Sequence, residues 1–378
     1  MEKIQNYVAQ GMKLLLRTLE ELCHIPAPSH REEKRAAYCK SWLESAGATG
    51  VYIDRAQNVI FPVNCEYSKQ ITVFAAHTDT VFPDLSPMPY RDDGDKIHCP
   101  GAADDTASVA VLLMMARYFI EHRIAPRNGI LFVLNACEEG LGNLKGTRQL
   151  FADYGGRIKQ FITFDSQLGT VNDRCVGSHR YAVEVLTEGG HSFTAFGNDN
   201  AIARLSQIVT EIYQIDIPRE EGSTTTYNVG TITGGTSVNT IAQNAKMLCE
   251  YRSDNNACLT RMEEKFREIF KNAQTEKVCV QVTRVGERPC SITPQEKIDA
   301  LKNITLPIIE EVTGQPVICR SASTDCNIPL SLGVPALCVG VDVHHGTHTR
   351  EEWVQKDSLF TGLQIAIRLG IALTEVEV

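Results

Sequence analysis

No stretch of this chain approaches the apolar length needed to cross a membrane, so a spanning protein is not expected. The start, Met1-Glu-Lys-Ile-Gln-Asn, lacks the layout of a secretion signal. No block of lysine or arginine and no basic stripe occurs, and the formal charge is −9, which disfavours a nucleic-acid partner. Internal repeats and low-complexity tracts are missing too. The 13 cysteines include no Cys-x-x-Cys pair, are odd in number and are scattered along the chain. A disulfide framework would be even and concentrated in a small domain, so a reduced, cytoplasmic setting is expected. Cys137 and Cys338 fall inside apolar runs and read as small core residues.

What the chain does have is apolar runs that end in metal-type ligands. Ile71 to Ala76 is almost unbroken in its apolarity and stops at His77, with Asp79 two residues later. A run apolar on both faces suits a strand buried in a parallel sheet, and such sheets gather chemistry beyond the carboxyl ends of their strands. The same event recurs. Ile130 to Ala136 leads to Cys137, Glu138 and Glu139; Phe161 to Phe164 leads to Asp165; Val334 to Val341 leads to His344, His345 and His348. Asp104 stands just before an apolar helical pattern from Val109 to Ile120. Each feature alone is weak, since a lone His-x-Asp is common and Asp104-Asp105 alone reads as a helix cap. Spacing alone does not choose among the three histidines near 348. The recurrence carries the argument.

At 378 residues the chain predicts two domains, at about 150 residues each as a prior. Helix, strand and loop alternate up to about Gly169, the pattern of an α/β sheet. Ser29 and Glu32 have the spacing of a capping box for a helix that stops at Gly47, and 83–101 reads as a surface loop. Beyond Gly177 the order changes to β-α-β-β-α-β, which predicts a ferredoxin-like insert. The expected architecture is therefore α/β, with a mostly parallel-sheet catalytic domain over 1–177 and 291–378 and an inserted α+β domain over 178–290.

Histidine nitrogen and carboxylate oxygen bind zinc and similar dications at about 2.0–2.2 Å. Two such ions about 3.5–4 Å apart need a shared carboxylate. Two histidines with three carboxylates serve that purpose and leave about one positive charge, suited to a bound hydroxide and an anionic intermediate. Glu138 and Glu139 leave a strand in different directions, so one can bind metal while the other faces water as a general base. Asp79 can accept the second imidazole N–H of His77. Zinc is favoured, with cobalt or manganese admitted by the same ligands.

The residues resemble the co-catalytic zinc exopeptidases and deacylases that include peptidase T, acetylornithine deacetylase and the bacterial glutamate carboxypeptidases. The matching stretches run from Ile25-Pro-Ala-Pro-Ser29 to Glu352-Trp353-Val354 and include His77-Thr-Asp79, Gly101-Ala-Ala-Asp104-Asp105, Glu138-Glu139-Gly140, Asp165, Gly190-His191-Ser192, Gly234-Gly235-Thr236-Ser-Val-Asn239, Tyr251-Arg252 and His348-Thr-Arg-Glu-Glu352. The resemblance implies that Asp104 bridges two metals, that His77 and Asp165 complete one shell and Glu139 and His348 the other, and that Glu138 is the base. It also implies a cis peptide between Asp104 and Asp105. The insert would be a lid that forms a homodimer, His191 would donate to the partner's site, and Asn239 and Arg252 would bind substrate. The Asp104-Asp105-Thr106 run sits nearer the Asp-Asp-Lys of peptidase T than the Asp-x-Lys of the deacetylases, and the segment after His191 lacks the family's proline. The expected activity is hydrolysis of di- or tripeptides by metal-bound hydroxide. An N-acyl amino acid deacylase or carboxypeptidase is the alternative, and a dead dimeric scaffold is disfavoured by the intact ligand set.

Overall fold

A computed structural model describes residues 2–66 and 68–374. The chain divides into two compact units, Met1–Cys175 with Ile292–Val378, and Val176–Ser291.

The first unit is built on an eight-stranded mixed sheet. Its centre is four mutually parallel strands in the spatial order Gly129–Asn135, Ile71–His77, Ile158–Thr163 and Ala336–Val339. Every residue of the strands Ile71–His77 and Gly129–Asn135 is buried, as their lack of polar alternation requires. Val59–Val63 joins one side antiparallel; Thr170–Cys175, antiparallel to Ala336–Val339, and Ile318–Ala322, parallel to Thr170–Cys175, complete the other. Because the four central strands run the same way, His77, Asn135, Thr163 and Val339 all lie at the same end of the sheet. The turns that carry the candidate ligands follow from that end.

Helices Glu2–Cys23, Ser108–Glu121, Gln295–Thr313 and Ser358–Leu373 pack on one another in the core of this unit. The first is amphipathic, with Val8, Leu15, Leu19 and Leu22 buried on one face at helical spacing. Ser108–Glu121 is apolar on most faces because it is covered on most sides. Residues 83–101, expected as loop, contain the short strands Arg91–Asp92 and Lys96–His98. These join His344–His345 and Trp353–Gln355 in a separate four-stranded sheet. Each of these strands has two or three residues, too short for periodicity to reveal.

In the second unit, strands Gly177–Leu186, Thr225–Gly234, Asn244–Ser253 and Cys279–Arg288 form an antiparallel sheet, with the first paired to the third and the fourth. Helices Ala201–Tyr213 and Asn256–Ala273 pack on it through Leu205, Ile208, Met262, Phe266 and Phe270. Asn200 and Asn255 cap these helices, each side chain accepting from a backbone N–H of the first turn. No described helix is long and apolar enough to cross a membrane.

Candidate metal centre

The strand ending at His77 delivers the imidazole, and its ring orientation is fixed by the next turn. His77 Nδ1 lies 3.1 Å from the Asp79 carbonyl oxygen and 3.4 Å from its carboxylate, so Nδ1–H donates there and Nε2 faces Asp104 Oδ1 at 3.0 Å. The Asp79 carboxylate does more than the sequence indicated. It is fully buried and accepts the backbone N–H groups of Glu138 at 2.9 Å and Glu139 at 3.0 Å, and the Ser29 hydroxyl at 2.7 Å. One side chain thus ties together the turns that follow two adjacent strands.

Ser29 and Glu32 do not form the capping box expected of them. The helix begins at Glu33 without a side-chain cap. Glu32 accepts the N–H groups of His30 and Cys137 instead, and Ser29 turns to Asp79. The buried N–H of Cys137 has a stronger claim on a carboxylate than a helix end near solvent. Cys137 itself sits at φ 58°, at the bend that turns the chain out of the strand. Gly146 closes this bend from behind: its N–H donates to the Ala136 carbonyl, and a Cβ there would lie 2.4 Å from that oxygen.

Asp104 lies in a π-helical turn, Ala102–Ala107, entered through Gly101 at φ 76°. The Asp104–Asp105 peptide is cis. Asp105 is buried and accepts the His77 N–H at 2.9 Å, so it acts as an anchor for the strand end and not as a helix cap. The two oxygens of Asp104 face different histidines: Oδ1 meets His77, and Oδ2 lies 3.0 Å from His348 Nε2. His348 Nε2 is also 3.1 Å from Glu139 Oε1. The ligand atoms of His77, Asp104 and Glu139 lie within 4.8 Å of one another. Of the other histidines near 348, His344 is held by Asp342 at 2.5 Å, and His345 is exposed beside Trp353.

Asp165 follows its strand into the same acidic neighbourhood. Burial, with the charges of Asp104, Asp105 and Glu138, pushes its carboxyl well above the usual range. Glu139 is raised to about 7 by burial and by Asp104. For Asp104 burial acts upward, but hydrogen bonds to His348 and His77 prevail and hold it low. The two carboxylates beside His348 raise that imidazole to about 10. So many buried carboxylates beside two imidazoles need positive charge to coexist ionised. Donor atoms that share one zinc-sized ion stand about 3–3.5 Å apart, and the His77–Asp104, His348–Asp104 and His348–Glu139 separations match. The donor set could hold divalent cations.

Three residues proposed for substrate lie in the second unit. His191 is exposed, and its Nδ1 accepts the Phe193 N–H at 3.2 Å, which leaves Nε2 as the donor. Asn239 is its neighbour through the Ser192 N–H, which donates to the Asn239 carbonyl at 3.0 Å. Arg252 forms a two-pronged pair with Glu250, at 2.7 and 3.1 Å.

The model of Peptidase family M20/M25/M40 matches residues 73–370. The chain belongs to this family. Over 357 residues it is 24% identical to a putative succinyl-diaminopimelate desuccinylase of Mycobacterium tuberculosis, covering 92% of this chain and 95% of that one. The crystal structure of a tripeptidase from Staphylococcus aureus superposes with a TM-score of 0.76 at 20% identity, covering 96% of this chain and 98% of that one. A dinuclear metal-binding M20 peptidase of Bacillus subtilis gives 0.67 at 13%, over 98% and 100% of the two chains. This M20 member is therefore a hydrolase of the metallopeptidase type, with the mixed α/β fold of its relatives.

Sequence reasoning passed over three buried groups of this M20 chain. Asp325 accepts the Asn135 amide at 2.5 Å and the Thr147 hydroxyl, and burial with the nearby Glu138 charge raises it to about 6. Arg35 is 1% exposed and donates to the carbonyls of Leu22, Ile25 and Thr78 and to Thr106 Oγ1. Glu352 accepts three backbone N–H groups of the Asp104 turn. Only Glu352 lay in a run singled out from the sequence, four residues after His348, and nothing there separated it from Glu351.

Proposed function

We propose that this protein is a metal-dependent exopeptidase acting on di- or tripeptides as an aminopeptidase of the peptidase T kind. The reading rests on one arrangement: Asp104 turned to His77 with one oxygen and to His348 with the other, with Glu138 and Glu139 held side by side on Asp79. In this proposal His77, Asp104 and Asp165 hold one dication, and Asp104, Glu139 and His348 the other, with zinc favoured. Such ions, when bound, lower the pKa of water from about 15.7 towards 7 and supply positive charge for the oxyanion.

The chain's own residues do the rest. Glu138, directly before a proposed ligand and 4% exposed, takes the proton of the attacking water and passes it to the leaving amine. Asp79 keeps the His77 ring turned and the 138–139 backbone fixed. The second unit acts as a lid and dimer contact, His191 donates a hydrogen bond to the carbonyl oxygen in the partner's site as charge develops there, Asn239 contacts the substrate, and Arg252 binds its free carboxylate. A cytoplasmic location fits 13 cysteines without a disulfide among them.

A second reading, an N-acyl amino acid deacylase or carboxypeptidase, is favoured by the similarity to a desuccinylase over 92% of this chain. A panel of tripeptides and N-acylated amino acids separates the two. Turnover of the acylated compounds alone ends the peptidase reading. Glu138→Gln is expected to keep about two metals per chain and to lose about 10²-fold or more in kcat. Loss of metal in that variant would exchange the roles of 138 and 139.

A further inference from the structure

We infer that Glu352 is the positioning residue that ties the Asp104 turn to the His348 loop, and thereby sets how tightly the metal centre closes. Glu352 is 1% exposed. Its Oε2 accepts the Gly101 N–H at 2.8 Å, and its Oε1 those of Ala103 at 2.8 Å and Asp104 at 3.0 Å. These donors open the turn Ala102–Ala107, where the first N–H groups have no acceptor within the helix. Asp104 itself is off helical geometry at φ −110°, ψ 95°, so its orientation is imposed from outside the turn.

Glu352 also belongs to the histidine loop. It lies four residues after His348, its carbonyl accepts the Cys99 N–H at 3.2 Å, and the next residue, Trp353, pairs with His98 in the small sheet. The two chain segments run side by side up to this point and then diverge, one towards Asp104 and the other back to His348. A single carboxylate holds the divergence closed. Both of its oxygens are taken up by backbone N–H groups; it fixes the backbone of one proposed ligand and is covalently joined to the loop of another.

The inference rests on Asp104 and His348 being metal ligands. The test is zinc binding by metal-stripped full-length protein, measured by competition with a chromophoric chelator and by the thermal shift that zinc produces. Outer-shell partners of metal ligands typically carry about 10–100-fold in affinity. Glu352→Ala is expected to lose about that much, with a smaller zinc-induced shift. Glu352→Gln should fall between, because its amide sets a donor against one of the three N–H groups, and it carries the test if the alanine variant does not fold. A residue that only stabilises the fold would lower the metal-free and zinc-bound midpoints together and leave the shift unchanged. Zinc affinity within about two-fold of the parent in both variants overturns the inference, provided Asp104→Ala loses zinc. Should Asp104→Ala keep both ions, it is the ligand assignment that falls.

Discussion

Replacing Asp79 by asparagine changes one atom and disturbs three turns. The carboxylate offers two oxygens to the N–H groups of Glu138 and Glu139, the Ser29 hydroxyl and the His77 imidazole. Asparagine keeps one oxygen and presents an NH2 in place of the other. Whichever way the amide turns, it faces a backbone N–H, at 138 or at 139, with a donor. A buried N–H left without an acceptor costs about 1–3 kcal/mol, and the surviving bonds lose their charge assistance, about half their strength. Together these come to about 3 kcal/mol. In a domain of this size 1 kcal/mol moves the midpoint by about 2–4 °C, so the metal-free Asn variant should melt about 6 °C or more below the parent near neutral pH.

The pH dependence supplies an independent check. Burial alone would raise the Asp79 carboxyl, but the hydrogen bonds from His77, Ser29 and the Glu139 N–H outweigh it and hold the group below the ordinary carboxylate range. A depressed folded-state pKa contributes stability that is complete above the unfolded value, about 3.9, and is lost as pH falls through the folded one. The gap between parent and variant should therefore be full near pH 7 and narrow in strong acid. Scanning fluorimetry in chelator across that range measures it. A variant within about 2 °C of the parent at neutral pH, or a gap that does not narrow in acid, would refute this account of Asp79.

Two further outcomes concern buried groups away from the proposed ligands. Arg35→Met removes the donors to the Leu22, Ile25 and Thr78 carbonyls and to Thr106 from a site with 1% exposure. It should cost about 2–4 kcal/mol in urea denaturation, and Arg35→Lys should recover little, since an ammonium lacks the planar fork; a variant as stable as the parent contradicts it. Among the cysteines, Cys279 and Cys319 alone are exposed. A thiol reagent should label two groups quickly in the native protein and all 13 after denaturation, and a larger native count would show that the burial is wrong.

What was legible in the sequence depended on range. The buried strands could be read because a run such as Ile71 to Ala76 is apolar on both faces, a local property. The helices at 201–213 and 256–273 could be read from their spacing of apolar residues. The direction in which Ser29 and Glu32 point could not. Their local pattern favours a cap, and they are claimed by Asp79 and Cys137, 50 and 105 residues away. The short strand at 96–98 pairs with 91–92 on one side and with Trp353–Gln355 on the other, and the second partner lies in no window around residue 95.

The same distinction separates the parts of the metal centre. Candidate donors such as His77, Glu139 and Asp165 could be singled out from sequence because groups just beyond the carboxyl ends of parallel strands meet for topological reasons, whereas the choice of Asp104 and His348 rested on the family resemblance. Apart from the Asp79–His77 contact, their support could not be singled out, because it is made of backbone N–H groups, which every residue carries and no sequence advertises. Asp79 and Glu352 each gather such groups from a distant turn, and Asp105 does so for the His77 N–H. A buried N–H must find an acceptor, so Asp79, Asp105 and Glu352 are claimed by backbone amides, while Asp104, Glu139 and Asp165 are left to the proposed cations. Removing a ligand leaves the turns held by these other carboxylates, whereas removing Asp79 or Glu352 frees a turn while all five proposed ligands remain. The supporting carboxylates are therefore as necessary to the site as the proposed ligands whose backbone they hold.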